Sequence, residues 1–395
     1  MHIVILGAGV TGVTSAWFLR QAGHEVTVVD RHPAAALETS RANGGQISVS
    51  HAEPWANPQV LPKILRWLGQ DDAPLLFRPR LDRQQWLWVL GFLRECPAAR
   101  TRHNLRQLVQ LGLYSRATLQ ALRAELHLQY DQQTRGILHF YTSEAELDAA
   151  IEPARQMREL GCTRELITPA LARQIEPALA SVPLVGATYT PDDESGDAHR
   201  FTQQLAAHSQ RAGVVFRWNT SVQRLLREGD ALQGVQVQAS DRDAPERLQA
   251  DAYLLCLGSY SPLYTRQVGF NLLIYPAKGY SATYALPEDL DAPWVSLTDD
   301  EYKLVFSRLG QRLRVAGTAE LNGYSTQLNP VRCAALHRRV SALFPQMAGL
   351  QPDYWTGLRP STPSNVPYLG RSPLRNLYLN TGHGTLGWTH SCGSA

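Results

Sequence analysis

Short runs of apolar residues, many of them β-branched, alternate along the chain with longer stretches of helical periodicity. Residues 3–6 are four apolar residues in succession, which predicts a short strand that is buried on both faces. Similar runs predict further strands at 26–29, 136–141, 186–190, 214–218, 253–257, 272–285, 302–318 and near 377. Apolar residues recur at helical spacing between 60 and 130, which predicts helices that bury one face. The predicted fold class is α/β, with α+β character overall.

Composition excludes several classes of protein. The 395 residues are enough for two or three domains, and 44% of them are hydrophobic while 18% are charged, which excludes a disordered chain and a coiled coil. No apolar run approaches the ~20 residues of a membrane-spanning helix. A net charge of +3 gives no reason to expect a nucleic-acid partner. The five cysteines are scattered and never form a C-x-x-C pair, so we expect no disulfide framework, no metal site and a reducing, cytoplasmic compartment.

The first thirty residues combine a strand, a glycine motif, a helix, a second strand and an acid in the order of a dinucleotide-binding unit. Gly7 permits a tight turn, Gly9 lets the backbone approach a pyrophosphate, and Gly12 lets helix and strand pack closely. Asp30, at the end of the second strand, is placed to accept hydrogen bonds from a ribose. The expected cofactor contacts are Gly7, Ala8, Gly9, Val10, Thr11, Gly12 and Asp30. This motif does not choose between FAD and NAD.

The segment that follows favours FAD. Residues 38–47 form a small, polar, glycine-bearing loop about ten residues beyond Asp30, where an NAD-binding domain normally continues with further βαβ units. Such a loop can lay backbone amides along the pyrophosphate and the flavin edge. An ordinary surface loop is the alternative interpretation.

Three segments together resemble the D-amino-acid oxidase superfamily of flavoproteins, and within it the FAD-dependent D-amino-acid dehydrogenases. They are residues 3–30, the E-T-S-x-x-N-G-G-Q stretch at 38–46, and N-T-G-H-G-T-L-G-W at 380–388. Further matching stretches lie at 192–197, 201–203, 252–261, 275–281 and 355–363. The resemblance therefore extends over nearly the whole chain.

The resemblance implies a Rossmann-like FAD-binding domain interleaved with a substrate domain of mixed sheet and helices. The FAD-binding part would comprise 1–50, 191–261 and 353–395, and the substrate part 51–190 and 262–352. Val222 would place its backbone on the adenine. The other cofactor contacts implied by the resemblance are Arg31, Ser40, Asn43, Gly44, Gly45, Gln46, Gly258, Gly357, Gly384, Thr385, Leu386 and Gly387.

The implied substrate is a D-amino acid, whose carboxylate requires a planar cationic partner. Arg359, between a glycine and a proline, is the first candidate because a guanidinium can form two parallel hydrogen bonds to a carboxylate. Tyr280 and Tyr302 are candidates to bind the carboxylate or cap the pocket, with a buried structural tyrosine as the alternative for each. His51 follows the glycine-rich loop and would line the substrate side of the flavin.

Two neighbours of His51 bear on substrate preference. Glu53 and Trp55 lie in the same loop, and a carboxylate at Glu53 would favour a basic substrate side chain unless it is simply solvated. His383 is expected to belong to the flavin loop, without a catalytic role. No Ser-His-Asp or Cys-His arrangement stands out in the sequence.

Two further segments leave alternatives open. Residues 86–93 (W-L-W-V-L-G-F-L) are either a buried core helix or a surface that contacts membrane lipid or a quinone. Residues 384–388 are expected to begin a helix whose N-terminus faces the flavin, where its dipole stabilises negative charge. The chain stops at Ala395, where members of the family continue with about two more helical turns. We therefore expect a short final helix with little packing, and weaker FAD binding.

The sequence thus predicts FAD-dependent oxidative deamination of D-amino acids to 2-oxo acids and ammonia, with hydride transfer to the flavin. Electrons would pass to a respiratory quinone or an artificial acceptor. Two alternatives remain: an amine oxidase that uses oxygen, of the glycine, sarcosine or D-amino-acid type, and a non-catalytic FAD-binding protein. The expected location is cytoplasmic, with peripheral contact on the inner face of the cell membrane as an option.

Overall fold

The structure, a computed structural model, describes residues 1–60, 62, 64 and 70–395. Its strands are β1 (His2–Leu6), β2 (Glu25–Val29), β3 (Gln46–Ile47), β4 (Leu75–Phe77), β5 (Ile137–Tyr141), β6 (Glu165–Ile167), β7 (Gly186–Thr190), β8 (Glu194–Ser195), β9 (Val215–Arg217), β10 (Thr220–Glu228), β11 (Ala231–Ala239), β12 (Glu246–Leu248), β13 (Ala252–Leu255), β14 (Tyr275–Ala285), β15 (Ser296–Asp299), β16 (Leu304–Leu309), β17 (Arg312–Leu321), β18 (Asp353–Ser361), β19 (Tyr368–Arg371) and β20 (Leu377–Thr381). Its α-helices are α1 (Val10–Gln21), α2 (Arg83–Glu95), α3 (Ala98–Leu126), α4 (Glu144–Glu159), α5 (Pro169–Ile175), α6 (Ala198–Arg211), α7 (Ser261–Thr265), α8 (Pro330–Leu343) and α9 (Gly387–Ser394).

The first sheet has the order β19-β20-β13-β1-β2-β9, and all its neighbours are parallel except β19 and β20. The strands predicted near residues 3, 26, 214, 253 and 377 therefore lie side by side in one sheet. On one face its apolar residues pack with α1 and α6, and on the other with the three-stranded sheet β10-β11-β12. Burial of both faces explains why β1 is an unbroken apolar run.

The second sheet has the order β18-β14-β17-β16-β15-β5-β7-β6, with β4 added in parallel to β17. Its main core combines apolar residues of β5, β14, β15, β16 and β17 with those of α8. The long strand predicted at 302–318 is two antiparallel strands, β16 and β17, because Gly310 turns the chain between them.

Two details differ from the sequence-based expectations. β18 pairs with β14 along nine positions, from Asp353 opposite Thr283 to Ser361 opposite Tyr275. The structure thus joins 353–361 to the larger sheet, whereas the division expected from the sequence assigns these residues to the FAD-binding part. The region expected to be helical at 60–130 contains the strand β4 before α2 and α3; residues 61, 63 and 65–69 of that region lie outside the described residues.

The apolar run at 86–93 is buried on one side and exposed on the other, so it is only in part the buried core helix that the sequence offered as one alternative. It lies in α2, where Trp88 and Phe92 are buried, while Trp86, Leu90 and Leu93 are exposed. Within the described part of the chain, no helix is long and apolar enough to cross a membrane.

Candidate active site

A cavity of about 800 Å³ is lined by residues from both sheets. Loops after the strands of the first sheet contribute 39–46 and 384–389, together with Val10. The second sheet contributes Tyr280 and Arg359, among others. The sequence therefore folds so that the glycine-rich segments and the candidate carboxylate ligand face one space.

Each glycine of the first motif meets a different requirement. Gly7 has φ +104° and donates its N–H to the Val29 carbonyl at 2.9 Å, so the chain turns tightly between β1 and α1. A Cβ on Gly12 would lie 1.9 Å from the Gly7 carbonyl oxygen. A Cβ on Gly9 would meet only the Ser40 hydroxyl, at 3.7 Å. Gly7 and Gly12 are thus required by the fold itself, whereas the space beside Gly9 is open to a ligand.

Asp30 ties the second strand to the glycine loop. One carboxylate oxygen accepts the Ala8 N–H at 2.7 Å and the other accepts the His32 N–H at 2.9 Å. Burial raises the pKa of Asp30, and the two backbone N–H groups partly offset that rise. The next residue, Arg31, stacks on the Tyr260 ring at 4.5 Å and pairs with Glu38.

The loop 39–46 covers the N-terminus of α1. Ser40 accepts the Val10 N–H at 3.1 Å, so its hydroxyl lies at the anion-binding end of that helix. Asn43 accepts the Gly45 N–H at 2.9 Å, and Gly45 has φ +74°. The side-chain amide of Gln46 donates to Ser296 at 3.0 Å, so it points to the second sheet and leaves the loop backbone to line the cavity.

The C-terminal segment is better packed than the sequence predicts. A 3₁₀ turn at Gly384–Leu386 leads into α9, which packs against α1 and α3. Trp388 is buried, with its ring centroid 5.8 Å from that of Tyr130 and 6.1 Å from that of Phe201. The Ser48 N–H also donates to Thr389 Oγ1 at 3.0 Å. The expectation of a helix with little packing is wrong, because α9 is wedged between two longer helices.

Arg359 lies in β18 with its guanidinium flat against the neighbouring strand. A Cβ on Gly279 of β14 would lie 2.4 Å from the Arg359 Cζ atom, so a side chain there would displace the guanidinium. Arg359 Nη1 donates to the Thr318 carbonyl at 2.7 Å and Nη2 donates to the Gly317 carbonyl at 3.4 Å. Burial, with the nearby charge of Arg332, lowers the pKa of Arg359 to about 10.

No ion pair joins Arg359 to a carboxylate among the described residues, although the chain contains many Arg–acid pairs elsewhere. Its hydrogen-bond partners are neutral backbone carbonyls, and some of its N–H groups remain for the cavity. A partly buried cation of this kind, without a carboxylate partner, offers a binding site for an anion.

The two tyrosine candidates differ in position: Tyr280 is at the cavity and Tyr302 is not. Tyr280 lines the cavity, but its hydroxyl donates to Glu320 Oε2 at 2.5 Å; burial and this hydrogen bond raise the pKa of Tyr280. Tyr302 is outside the lining, is 44% exposed, and has the Arg339 guanidinium 3.9 Å from its ring centroid. Tyr302 is therefore not at the site, because the turn that carries it points Asp300 and Lys303 into the cavity instead.

His51 lines the cavity beside residues that the sequence did not single out. Burial, with the nearby His139, lowers the pKa of His51 to about 3, and the two ring centroids are 5.9 Å apart. His139 Nδ1 lies 2.8 Å from Asp300 Oδ2, and Lys303 Nζ lies 3.2 Å from Asp300 Oδ1. Burial opposes ionisation of Asp300, but Lys303 and His139 outweigh it and hold its pKa well below the usual range.

Glu53 has a partner that neither sequence-based interpretation considered. Its Oε1 lies 2.9 Å from Arg164 Nη1, and Arg164 is almost fully buried. Arg164 also donates to the Ser50 carbonyl at 3.0 Å and to the Tyr141 hydroxyl at 2.9 Å. Glu53 is thus paired with Arg164 although its side chain is 44% exposed, so the solvated carboxylate considered as the alternative is partly correct and the carboxylate is not left free for a basic substrate side chain.

The comparison with protein-family models finds that the FAD dependent oxidoreductase model matches residues 2–395. The chain belongs to this family. It is 59% identical to a D-amino acid dehydrogenase of Dechloromonas aromatica (strain RCB), over 100% of this chain and 95% of the relative. It is 54% identical to a D-amino acid dehydrogenase of Paramagnetospirillum magneticum (strain ATCC 700264 / AMB-1), over 100% of this chain and 93% of the relative.

Among solved structures, glycine oxidase from Geobacillus kaustophilus matches with a TM-score of 0.77 at 21% identity, over 99% of this chain and 91% of that chain. That likeness concerns the fold, which is the fold of FAD-dependent oxidoreductases, as the sequence predicts.

The residues present fit the FAD that this family uses. The open space beside Gly9, the N-terminus of α1 and the backbone of 43–45 form a cradle for a pyrophosphate and a flavin. At the far side, Gly384 and Gly387 have no neighbour closer than 3.7 Å to an added Cβ, so their backbone is open to the cavity. Gly357 sits under the Trp355 ring and also lines the cavity.

Several expected cofactor contacts lie beyond the cavity. Val222 is in β10, where its carbonyl accepts the Tyr264 hydroxyl at 2.8 Å, and Gly258, with φ +51°, begins a 3₁₀ turn after β13. Neither lines the cavity. The same holds for other expected contacts near the N-terminus: Gly7, Ala8, Gly9, Thr11, Gly12, Asp30 and Arg31. His383 is buried with its Nε2 3.2 Å from Ser394 Oγ, which is consistent with a structural place in this family's terminal loop.

Asp193 is a site residue that sequence reasoning missed. It is fully buried, pairs with Arg116 at 2.8 Å, and accepts the Val49 N–H at 3.1 Å and the Ser50 N–H at 3.0 Å. It therefore fixes the 3₁₀ turn that carries His51. The sequence does contain a signal for Asp193, since the stretch 192–197 carries part of the family resemblance.

Proposed function

We propose that this chain is an FAD-dependent D-amino acid dehydrogenase, which converts D-amino acids to 2-oxo acids and ammonia. The observation that carries the proposal is the Arg359 guanidinium, which faces the cavity lined by residues 42–46 and 384–387, with neutral carbonyls as its partners. Two relatives named D-amino acid dehydrogenase, at 59% and 54% identity over the full chain, support the choice of substrate.

The residues of the chain bind and orient the substrate. FAD, when bound, supplies the hydride acceptor for the oxidation of Cα. Arg359 holds the substrate carboxylate through its remaining N–H groups and thereby fixes the direction of Cα. His51 is neutral at pH 7 because its pKa is about 3, so it adds no second cation that would bind the carboxylate in a competing position. Water from outside the site then hydrolyses the imino acid to the 2-oxo acid and ammonia.

Anaerobic reduction of the bound flavin tests this function. We expect D-amino acids to bleach the flavin absorbance and the matching L-amino acids to leave it unchanged. In air, turnover with an artificial dye and without hydrogen peroxide supports a dehydrogenase, whereas stoichiometric peroxide identifies an oxidase. A flavin that no amine reduces identifies a non-catalytic FAD-binding protein.

We also propose that electrons leave to a quinone at a membrane surface contacted by α2. α2 exposes Trp86, Leu90 and Leu93, and of these Trp86 and Leu93 also line the cavity, together with the buried Trp88 and Phe92. Residues 78–106 contain seven arginines and two carboxylates, so this region suits the anionic surface of a cytoplasmic membrane leaflet. One helix would thus connect the site with an apolar phase.

Sedimentation with vesicles tests the membrane contact. We expect the holoenzyme to bind vesicles that contain phosphatidylglycerol, and the double variant W86Q/L90Q to bind them about tenfold more weakly. The control is Leu369→Gln, which removes an exposed leucine from β19. Equal binding of all three proteins would contradict the contact, as would equal binding to neutral vesicles.

A further inference from the structure

A β-bulge lies directly beneath the Arg359 guanidinium. β14 and β17 pair with Lys278 opposite Glu320 and Tyr280 opposite Gly317, so Gly279 alone faces the two residues Thr318 and Ala319. An extra residue of this kind bends a strand and redirects its peptide groups. Here it directs the Thr318 carbonyl to Arg359.

The bulge is held in an unfavourable backbone conformation. Thr318 has φ +51°, a region that a β-branched residue rarely adopts. Such a conformation persists only where surrounding contacts impose it, and it concentrates at functional sites. The contact at Thr318 that the site uses is the 2.7 Å hydrogen bond from Arg359 Nη1 to the Thr318 carbonyl.

The Ala319 N–H of the bulge donates to the Pro74 carbonyl at 2.8 Å, and Glu320 adds side-chain contacts to the facing strand. Its buried carboxylate accepts the Tyr280 hydroxyl at 2.5 Å, lies 3.1 Å from Lys278 Nζ, and accepts the Asn322 amide at 3.0 Å. Lys278 and Tyr280 flank Gly279, the residue on which the guanidinium rests. The Glu320 carboxylate therefore contacts the residues on both sides of Gly279, against which the Arg359 guanidinium lies.

Arg332 fixes the same segment from another side. Its Nη2 donates to the Ala319 carbonyl at 3.2 Å and its Nη1 donates to the Asp71 carbonyl at 2.9 Å. Arg332 is almost fully buried and does not line the cavity. The peptide groups from Gly317 to Ala319 thus receive hydrogen bonds from two arginines, while Glu320 closes the end of the bulge.

We infer that Glu320 is a positioning residue, which sets the angle of the Arg359 guanidinium through the Gly317–Glu320 bulge. The inference rests on the proposed role of Arg359 as the ligand of the substrate carboxylate. It also gives a role to the Tyr280 hydroxyl, which donates to Glu320. Glu320 itself does not line the cavity.

The test measures binding of benzoate, a carboxylate that cannot be oxidised, to the FAD-loaded protein by calorimetry. We expect Glu320→Gln to raise the dissociation constant about tenfold, because a guanidinium displaced by a fraction of an ångström loses its parallel hydrogen bonds. We expect the KM for a D-amino acid to rise in parallel while kcat changes less than about twofold. Reduction of the flavin by the matching D-amino amide should be unaffected.

Thr318→Gly separates positioning from plain stability. Glycine adopts positive φ without strain, so this variant should unfold at the same temperature as the wild type or higher. We nevertheless expect weaker benzoate binding, since the unconstrained bulge no longer fixes the carbonyl beneath Arg359. A merely structural role predicts the opposite: no loss of binding in a protein that is as stable as before.

The control is Glu176→Gln, at a buried glutamate that accepts the Trp294 and Val295 N–H groups outside the cavity. It should lower stability without changing benzoate binding. The inference fails if Glu320→Gln and Thr318→Gly bind benzoate as the wild type does, or if acid and amide substrates lose rate equally. Absence of benzoate binding and of D-amino acid oxidation in the wild type would instead overturn the proposed function.

Discussion

At the scale of single residues, the structure separates side chains that are held by the fold from side chains that are left for a ligand. Arg164 and Arg359 both line the cavity, but Arg164 is paired with Glu53 whereas Arg359 has only backbone carbonyls. The sequence identified Arg359 through its glycine–proline context. It had no means of telling that Arg164 is satisfied, because the partner lies 111 positions away.

Removing the Arg359 guanidinium should affect acids and amides differently. Loss of one partner of a buried, hydrogen-bonded charge pair costs about 2–5 kcal/mol, so Arg359→Ala should lower kcat/KM for D-amino acids by ~30- to 3,000-fold. Arg359→Lys should recover only part of the loss, since an ammonium lacks the planar fork. The measurement is anaerobic flavin reduction by D-amino acids and D-amino amides. An equal slowing of both substrate types would show that Arg359 supports the fold or the flavin instead.

The glycine motif gives a second residue-scale prediction. Gly9→Val should yield a folded protein without bound FAD, because the space that its side chain enters is open in the protein and needed by the pyrophosphate. Gly12→Val is the contrasting variant and should fail to fold, since its Cβ would lie 1.9 Å from the Gly7 carbonyl oxygen. Circular dichroism and flavin absorbance are to be read together. A yellow Gly9→Val protein would refute the assignment.

At the scale of elements, the short turn Val49–His51 shows how a distant acid can fix a loop. The family resemblance placed His51 in the loop after the glycine-rich segment, on the substrate side of the flavin, and the structure shows His51 in the cavity lining. It is Asp193, 143 positions from Ser50, that holds the turn by accepting its N–H groups. Such a partner follows from β3 pairing with β8, just beyond Asp193, which no local pattern reveals.

Replacing Asp193 should destabilise the Val49–His51 turn and lower the stability of the protein. Asp193→Asn leaves the Arg116 guanidinium without its buried counter-charge, and breaking such a pair costs about 3–5 kcal/mol. The free energy of unfolding by urea measures the effect. The neighbouring Asp192→Asn is the matched control, because Asp192 is half-exposed and lies 3.8 Å from Arg116, where an exposed pair contributes about 0–1 kcal/mol. Equal losses in the two variants would contradict the anchoring role of Asp193.

At the scale of the whole molecule, the interface between the sheets and the terminal helix buries neutral histidines. Burial lowers the pKa of His51 and His383 to about 3 and that of His390 to about 4, with nearby histidines adding to the shift for the first two. In the unfolded chain these groups titrate near pH 6.5. As the pH falls below 6.5 the unfolded chain binds protons that the folded protein does not, so the folded state loses stability.

This proton linkage predicts that the free energy of unfolding falls measurably as the pH is lowered below about 6.5. Each such histidine should contribute a slope of up to about 1.4 kcal/mol per pH unit between pH 6 and 5. His390→Leu should therefore reduce the slope of unfolding free energy against pH by up to this amount, because His390 is fully buried and burial is what lowers its pKa. The control is His103→Leu, at an exposed position of α3. An unchanged slope in His390→Leu would show that this histidine is protonated in the folded protein.

The sequence by itself determined what depends on neighbouring positions. The strand, glycine turn, helix and acid of residues 1–30 make their decisive contacts within about thirty residues, and the structure shows them, so the dinucleotide unit could be predicted. The tertiary structure alone decided which side chains contact one another across strands. It pairs the Tyr280 hydroxyl with Glu320 and places His139 against Asp300, 161 positions away. It also exposes Tyr302 to solvent and joins β18 to the second sheet. The reason is physical. Strand register and the packing of distant elements choose the partner of a buried polar group, and those are set by the whole core, not by any segment of it.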